Sequence, residues 1–222
     1  MAYFTQAYHS FFKELAANNH RDWFHANKKR YEADVKKPFD RFVGEVIEAL
    51  KAEGEAIEIQ PKDAIFRINR DIRFSKDKSP YKLNRSAIIS KYGRKDKSYP
   101  GLYMDFGPEK LWIGGGAYFL DKEQLYDVRD HMLKHPKKFK NAIGDKDFID
   151  TYGEIQGEKN KIVPKEFKAI SDDLPEIMNK QFYFMSEHAP SDLLKDDLLD
   201  KVMQCRKASR KMDRFLQEAL TH

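Results

Sequence analysis

Phe66-Arg67-Ile68-Asn69-Arg70-Asp71-Ile72-Arg73-Phe74-Ser75-Lys76-Asp77-Lys78-Ser79-Pro80-Tyr81 sets cations and carboxylates between apolar residues, and its reading decides where the sheet and the function lie. If Ala64 to Phe74 is extended, period-two alternation sends Arg67, Asn69, Asp71 and Arg73 to one face and Phe66, Ile68, Arg70, Ile72 and Phe74 to the other. Arg70 is then the odd residue. A guanidinium among Phe and Ile needs a carboxylate or a ligand anion, because an unpaired buried charge costs on the order of several kcal/mol. Neighbouring strand residues face opposite ways, so Asp71 is not that partner, and an acid from elsewhere, such as Asp105 on a later strand, is required. The alternative is a turn at Asn69-Arg70-Asp71, which sets Arg67, Arg70 and Arg73 on a common rim.

Arginines recognise carboxylate and phosphate through paired donors in a fixed fork. The expected ligand-binding set is therefore Arg67, Arg70 and Arg73, with Lys78 as a point charge and Tyr81 for hydrogen bonding or stacking. If the ligand is a phosphoester that is hydrolysed, Asp71 or Asp77 is the candidate general base or metal-facing carboxylate. A purely structural alternative is an ion-pair network tying the sheet to helices, which suits Arg70 among apolar neighbours. Nucleic-acid binding is a third reading. The segment from Arg67 to Lys97 holds eleven Lys/Arg against three Asp, a local excess of eight, so with a chain total of +5 the remainder carries −3. Tyr81, Tyr92 and Tyr99 offer stacking faces in that segment. No nucleic-acid motif accompanies them and the arginines sit among core-type residues, so a small anionic or phosphorylated ligand is the favoured partner.

The pattern Arg67-x-x-Arg70-Asp71-x-Arg73-Phe74-x-x-Asp77-Lys78-x-x-Tyr81 resembles the hallmark of a bacterial and fungal family catalogued as domain of unknown function 2461. The likeness extends to Asn18-Asn19 with Trp23-Phe24, Tyr31-Glu32, Pro38, Gly114-Gly115-Gly116 and Arg129. It departs at Pro164-Lys165-Glu166-Phe167, where a glycine is expected in place of Glu166, so that loop is expected to be built differently. The resemblance implies a shared fold and no assigned activity.

At 222 residues without a Pro/Gly/Ser-rich linker, the chain reads as a single domain over 1–222. Aromatic content of 13% and hydrophobic content of 41% suit a packed globule, while 35% charged residues and a mean hydropathy of −0.78 give it a solvated surface. No apolar run approaches the ~20 residues of a membrane span, and Met1 to Thr5 lacks the features of a leader peptide, so a cytoplasmic protein without a membrane partner is expected. The only cysteine, Cys205, fits a reducing compartment and excludes thiolate zinc clusters. It lies on an apolar stripe and reads as a small buried hydrophobe. Asp127, His131 and His135 share a helical stripe and read as a solvated face, not a metal site. The sequence names no cofactor, and Gly114-Gly115-Gly116 is not followed by the Lys-Ser/Thr of a phosphate loop and reads as a bulge or tight strand end.

Working outward, Thr5 caps a helix with Tyr8, Phe11, Phe12 and Leu15 on one face, stopped at Asn18-Asn19. A second stripe runs from Tyr31 to Leu50 and is kinked or restarted at Pro38. Trp23 and Phe24 read as core residues. Strands are expected at Ile57 to Ile59, Ala64 to Phe74, Ser86 to Tyr92, Leu102 to Phe106 and Leu111 to Ile113. Asp121 with Gln124 forms a capping box for a helix ending at His135-Pro136. Further expectations are a helix near Phe139 to Ile143, a hairpin across Gly157, and helices capped at Ser191 that bury Leu194, Leu198, Val202, Cys205, Ser209, Met212 and Leu216 while Arg206 points outward. The expected fold is α+β: N-terminal helices, a central, mostly antiparallel sheet, and C-terminal helices packed on one face.

Overall fold

Thr5 precedes α1 (Gln6–Ala17), which buries Tyr8, Phe11, Phe12 and Leu15 as the spacing predicts. The computed structural model describes residues 2–220; Met1, Thr221 and His222 lie outside the described residues. Two short helices, α2 (Arg21–Ala26) and α3 (Lys28–Arg30), lead into a π-helical stretch at Tyr31–Lys36 and then α4 (Lys37–Ala52). The break expected at Pro38 takes this form. Lys37 N–H bonds the Glu32 carbonyl five residues back, a widened turn that accommodates a proline with no N–H of its own. Val35, Phe39, Phe42, Val43, Val46 and Leu50 are fully buried along the stripe.

Four antiparallel strands form one sheet in the order β1 (Arg85–Ile89), β2 (Gly101–Phe106), β3 (Leu111–Ala117) and β4 (Phe182–His188). Leu102, Met104 and Phe106 face a core of helices, where the Phe106 ring lies 5.7 Å from Phe42 and 5.8 Å from Phe39. Tyr8 Oη donates to the Phe106 carbonyl at 2.8 Å, tying α1 to β2. α9 (Leu198–Ala219) covers β3 on the same face, in agreement with the expected α+β architecture. The opposite face carries Ser86, Tyr103, Asp105, Tyr183 and Met185 and has no helix packed across it among the described residues.

Three strand expectations need correction. Ile57 to Ile59 forms no strand. Ala64 to Phe74 is not a strand either; α5 (Pro61–Ala64) precedes a long loop held by isolated bridges Ile65↔Ala87 and Asn69↔Tyr81. The alternation of faces survives in part: Arg67, Asn69, Asp71 and Arg73 are exposed and Ile68 is buried, but Phe74, expected on the inner face, is exposed. Arg70 N–H bonds the Pro80 carbonyl and Lys82 N–H the Ile68 carbonyl, but Pro80 has no N–H to continue a ladder. The glycine triplet lies inside β3, not at its end. A Cβ on Gly114 would stand 2.1 Å from the Phe184 carbonyl oxygen, so glycine there is what admits β4 so closely.

β4 lies in a stretch with no sequence expectation. Its free edge meets Gln156 through a bridge to Tyr183, and a second bridge joins Lys159 to Asn179 just before the strand, which replaces the hairpin expected across Gly157. The capping box of Asp121 and Gln124 opens α6 (Lys122–Lys134), followed by α7 (Pro136–Ile143) and α8 (Lys146–Tyr152). Ser191 sits in a 3-10 turn, Pro190–Leu194, and α9 starts behind Asp197. Arg206 is not outside but 4% exposed, because α9 lies between the sheet and the segment after α4. Its guanidinium bonds Asp213 and holds Glu55 through two hydrogen bonds of 2.8 Å, and Ser209 Oγ donates to the same Asp213 oxygen at 2.6 Å.

Removing one member of a buried pair strands the other's charge, so Arg206→Ala lowers unfolding free energy by about 3–5 kcal/mol in urea titration. Gly114→Ala lowers it by about 1–3 kcal/mol through overpacking between β3 and β4.

Candidate functional site

Within the 65–81 loop every motif charge except Arg67 finds a near neighbour. Arg70 Nη1 bonds the Asp77 carboxylate and the Ser79 carbonyl, and Nη2 lies 3.4 Å from Ser75 Oγ; its partner is Asp77, not Asp105. Arg73 grips Asp71 bidentately at 3.0 and 2.7 Å. Lys78 Nζ donates to the Ile72 carbonyl at 3.0 Å. These pairs close inside the loop and do not tie the sheet to the helices. Tyr81 is buried, its ring stacked on Phe24 at 4.0 Å, and its backbone N–H and C=O both bond the Asn19 side chain. Arg67 is exposed, and its charge acts on Asp71 only through space. The structure thus joins Arg70 to Asp77 and Arg73 to Asp71, but does not gather Arg67, Arg70, Arg73, Lys78 and Tyr81 around one space.

Their carboxylates are strongly acidic. Hydrogen bonds from Arg73 lower Asp71 to about 2, and Ser79, then Arg70, hold Asp77 far below the usual range. Groups this acidic hold protons too weakly to suit general-base work near neutral pH.

The open sheet face holds a cleft of about 510 Å³. Its floor is bare where Gly101 and Gly116 face each other across β2 and β3, and Tyr103 and Tyr183 rise beside them. Phe66, Tyr118 and Phe119 form walls. Lys97 Nζ stands 4.8 Å from the Phe119 ring centre and 5.5 Å from that of Phe66, while Lys82 Nζ is 5.3 Å from Phe66. Lys97 is positioned by its neighbours: Asp96 Oδ1 accepts from Ser98 N–H and Oγ–H, and the Lys97 carbonyl accepts from Tyr118 and Phe119 N–H.

One pleat along from Tyr103 is Asp105, which accepts from Tyr103 Oη and Asn84 Nδ2, each at 3.0 Å. Burial raises the Asp105 carboxyl above its usual range, against the opposing pull of Tyr103 and Lys82. Burial likewise lowers the Lys82 ammonium, with Asp105 opposing. An acid held up and an amine held down beside one cleft is the pairing expected of proton-transfer sites. Sequence reasoning missed this face, although Tyr103 and Asp105 alternate with Leu102, Met104 and Phe106, and Lys82 and Lys97 belong to the basic segment it singled out.

Elsewhere, Cys205 is buried with its Sγ 3.7 Å from His188 Nε2, a base invisible in the sequence. Burial raises the thiol and lowers the imidazole, and Ser186 Oγ, 2.9 Å from the same nitrogen, competes for it. His131 packs against His135 and Phe215 and meets Glu218 at 3.4 Å. Among the described residues no group of three or more His, Cys, Asp or Glu is placed to hold a metal ion, and no helix is long and apolar enough to cross a membrane.

Helices on one face of a four-stranded antiparallel sheet, and a lysine- and aromatic-lined cleft on the other, define an α+β protein with an open-face cleft. The chain belongs to the family described as "Conserved hypothetical protein (DUF2461)", which matches residues 7–215. That agrees with the resemblance carried by the arginine motif. No curated protein matches the chain in sequence. At the departure from the family pattern, Glu166 is exposed in a 3-10 turn, Lys165–Ile170, and needs no left-handed backbone. Arg129, another matching position, is buried and donates to the Ile177 and Asn179 carbonyls at 2.8 and 3.1 Å, an architectural role.

Carboxyl NMR titration should place Asp71 near 2 and Asp105 above the ordinary 3.8. Between 3.8 and its own folded value Asp105 keeps a proton that the unfolded chain releases, so its contribution makes stability fall as pH rises through that window. Asp105→Asn removes that dependence. Asp71 acts oppositely: its contribution, present above 3.8, is lost as pH falls toward 2.

Proposed function

We propose that the protein binds a small anionic ligand with a planar, ring-bearing portion in the open-face cleft. The observation that carries this reading is the convergence of Lys82 and Lys97 on a glycine-floored cleft of about 510 Å³ walled by Phe66, Tyr118 and Phe119. That volume falls in the range of about 300–1,000 Å³ typical of small-molecule sites. The rings stack on a planar group, and the ammonium groups receive a phosphate or carboxylate. Asp105 lies outside the cleft lining but accepts from the hydroxyl of Tyr103, which lines it, so if the bound phosphoester is hydrolysed, Asp105 takes the role first sought in Asp71 and Asp77.

Single-stranded nucleic acid is the second reading, favoured by the exposed Tyr92 beside Tyr99, with Lys91 5.3 Å from the Tyr92 ring centre. The two differ in salt response. A thermal-shift screen with nucleotides, sugar phosphates, aromatic carboxylates and oligonucleotides separates them. Ligand at 100 times its Kd adds about 2.7 kcal/mol of stability. The cleft reading expects selective stabilisation by one ring-bearing anion, weakened about tenfold or more in Lys97→Gln and in Tyr118→Ala. Stabilisation by oligonucleotides alone, lost steeply with salt, overturns it in favour of the nucleic-acid reading. A flat screen overturns both.

A further inference from the structure

Phe66 also borders a second concavity, of about 490 Å³, between α4, α5 and the Gly93–Lys95 turn at the edge of β1. Its charged lining is Lys36, Lys62, Arg67, Arg85 and Arg94 against a single carboxylate, Asp40. Lys36 Nζ stands 3.0 Å from the Asp40 Oδ2, while Arg85 Nη2 is 3.9 Å from its Oδ1, beyond hydrogen-bond length. Arg85 is 4% exposed, lies against the Phe39 ring, and gives one hydrogen bond, from Nη1 to the Phe66 carbonyl. Its Nε is buried with no partner among the described residues.

The contrast with the other arginines is informative. Where an arginine is architectural here, it has a carboxylate or paired carbonyls in hand: Asp77 for Arg70, Asp71 for Arg73, Asp213 and Glu55 for Arg206, two carbonyls for Arg129. Arg67 and Arg94 hold no carboxylate, Arg85 reaches Asp40 only at 3.9 Å, and all three share one concavity. Arg94 is fixed at its rim because Gly93 turns with φ +61 against α5, where a Cβ would stand 2.7 Å from the Asp63 carbonyl oxygen, and Arg94 Nε reaches the Lys62 carbonyl at 3.4 Å. A buried, undercompensated guanidinium flanked by two that hold no carboxylate is stabilised by an oxyanion that accepts several charge-assisted hydrogen bonds at once.

We propose that this basin is a second binding site, separate from the cleft, for a phosphate-type dianion. Arg85 supplies the buried anchor; Arg67 and Arg94 close on the exposed oxygens, and Lys62 adds long-range attraction.

The test is calorimetric titration of the full chain with inorganic phosphate at low ionic strength. The expected result is saturable binding at one site with a Kd of about 1 mM or tighter. Arg67→Gln and Arg94→Gln, both at exposed positions, should each weaken it about ten- to hundred-fold while leaving the phosphate-free melting temperature unchanged. Lys97→Gln, which disables the cleft, should leave phosphate affinity unchanged. A sugar phosphate titrated in parallel distinguishes an esterified phosphate, if it binds more tightly, from the free ion, and either outcome supports the site. Absence of saturable binding, affinity indifferent to both arginine variants, or loss in Lys97→Gln alone overturns the proposal.

Discussion

The register of the ladder through β2, β3 and β4 is the constraint on which both faces of the molecule depend. Tyr103 stands opposite Gly114, and Gly114 opposite Met185, on one face; Met104, Ile113 and Ser186 align on the other. A slip of one residue in β2 would turn Leu102, Met104 and Phe106 to the open face and drive Asp105 into the helices. The cost is prohibitive in both directions, since three apolar side chains would lose their burial and a carboxylate would lose its Asn84 and Tyr103 donors. Core packing thereby dictates the composition of the cleft.

Charge is managed differently in each layer. Along the 65–81 loop, acids two and seven residues away pair with Arg73 and Arg70, so a highly charged excursion stays compact without calling on the sheet. Beneath α9 the Arg206, Asp213 and Glu55 cluster lies in the interior, where partner geometry must be good because water is excluded. Between these extremes lie Lys82 and Asp105, half-buried, opposite in charge and without a direct bond between them, each pushed by burial toward its neutral form.

The helical half of the fold was legible because its signals are local: the stripe of Tyr8 to Leu15, the Tyr31 to Leu50 stripe, and the capping box at Asp121 each lie within a few turns of chain. The sheet was legible for β1, β2 and the start of β3, where polar and apolar residues alternate. It failed at Ala64 to Phe74, whose alternation stops short of the exposed Phe74 and whose facing segment contains Pro80. It failed again at β4, because Phe182-Tyr183-Phe184-Met185 is apolar on both faces and shows no period. Arg206 was misplaced although Asp213 lies on the same face of its helix, because the burial of the pair depends on Glu55, which comes from the distant segment after α4. The basic segment 67–97 was noticed as a sum of charges. Which of its cations meet aromatic walls, and which meet carboxylates, depends on loops closing across long separations.

β1, β2 and β3 follow one another as a meander, but β4 joins β3 only after the excursion 118–181 has been laid down. Short-range pairing is fast and long-range pairing is slow, because chain entropy is spent before any contact is gained. β4 therefore assembles late, and it carries two things at once. Phe184 supplies the surface that receives Phe148 and Tyr152 of α8, while Tyr183 and Met185 complete the opposite face. The step that seals the interior is the step that finishes the cleft, so a partly folded chain lacking β4 has neither.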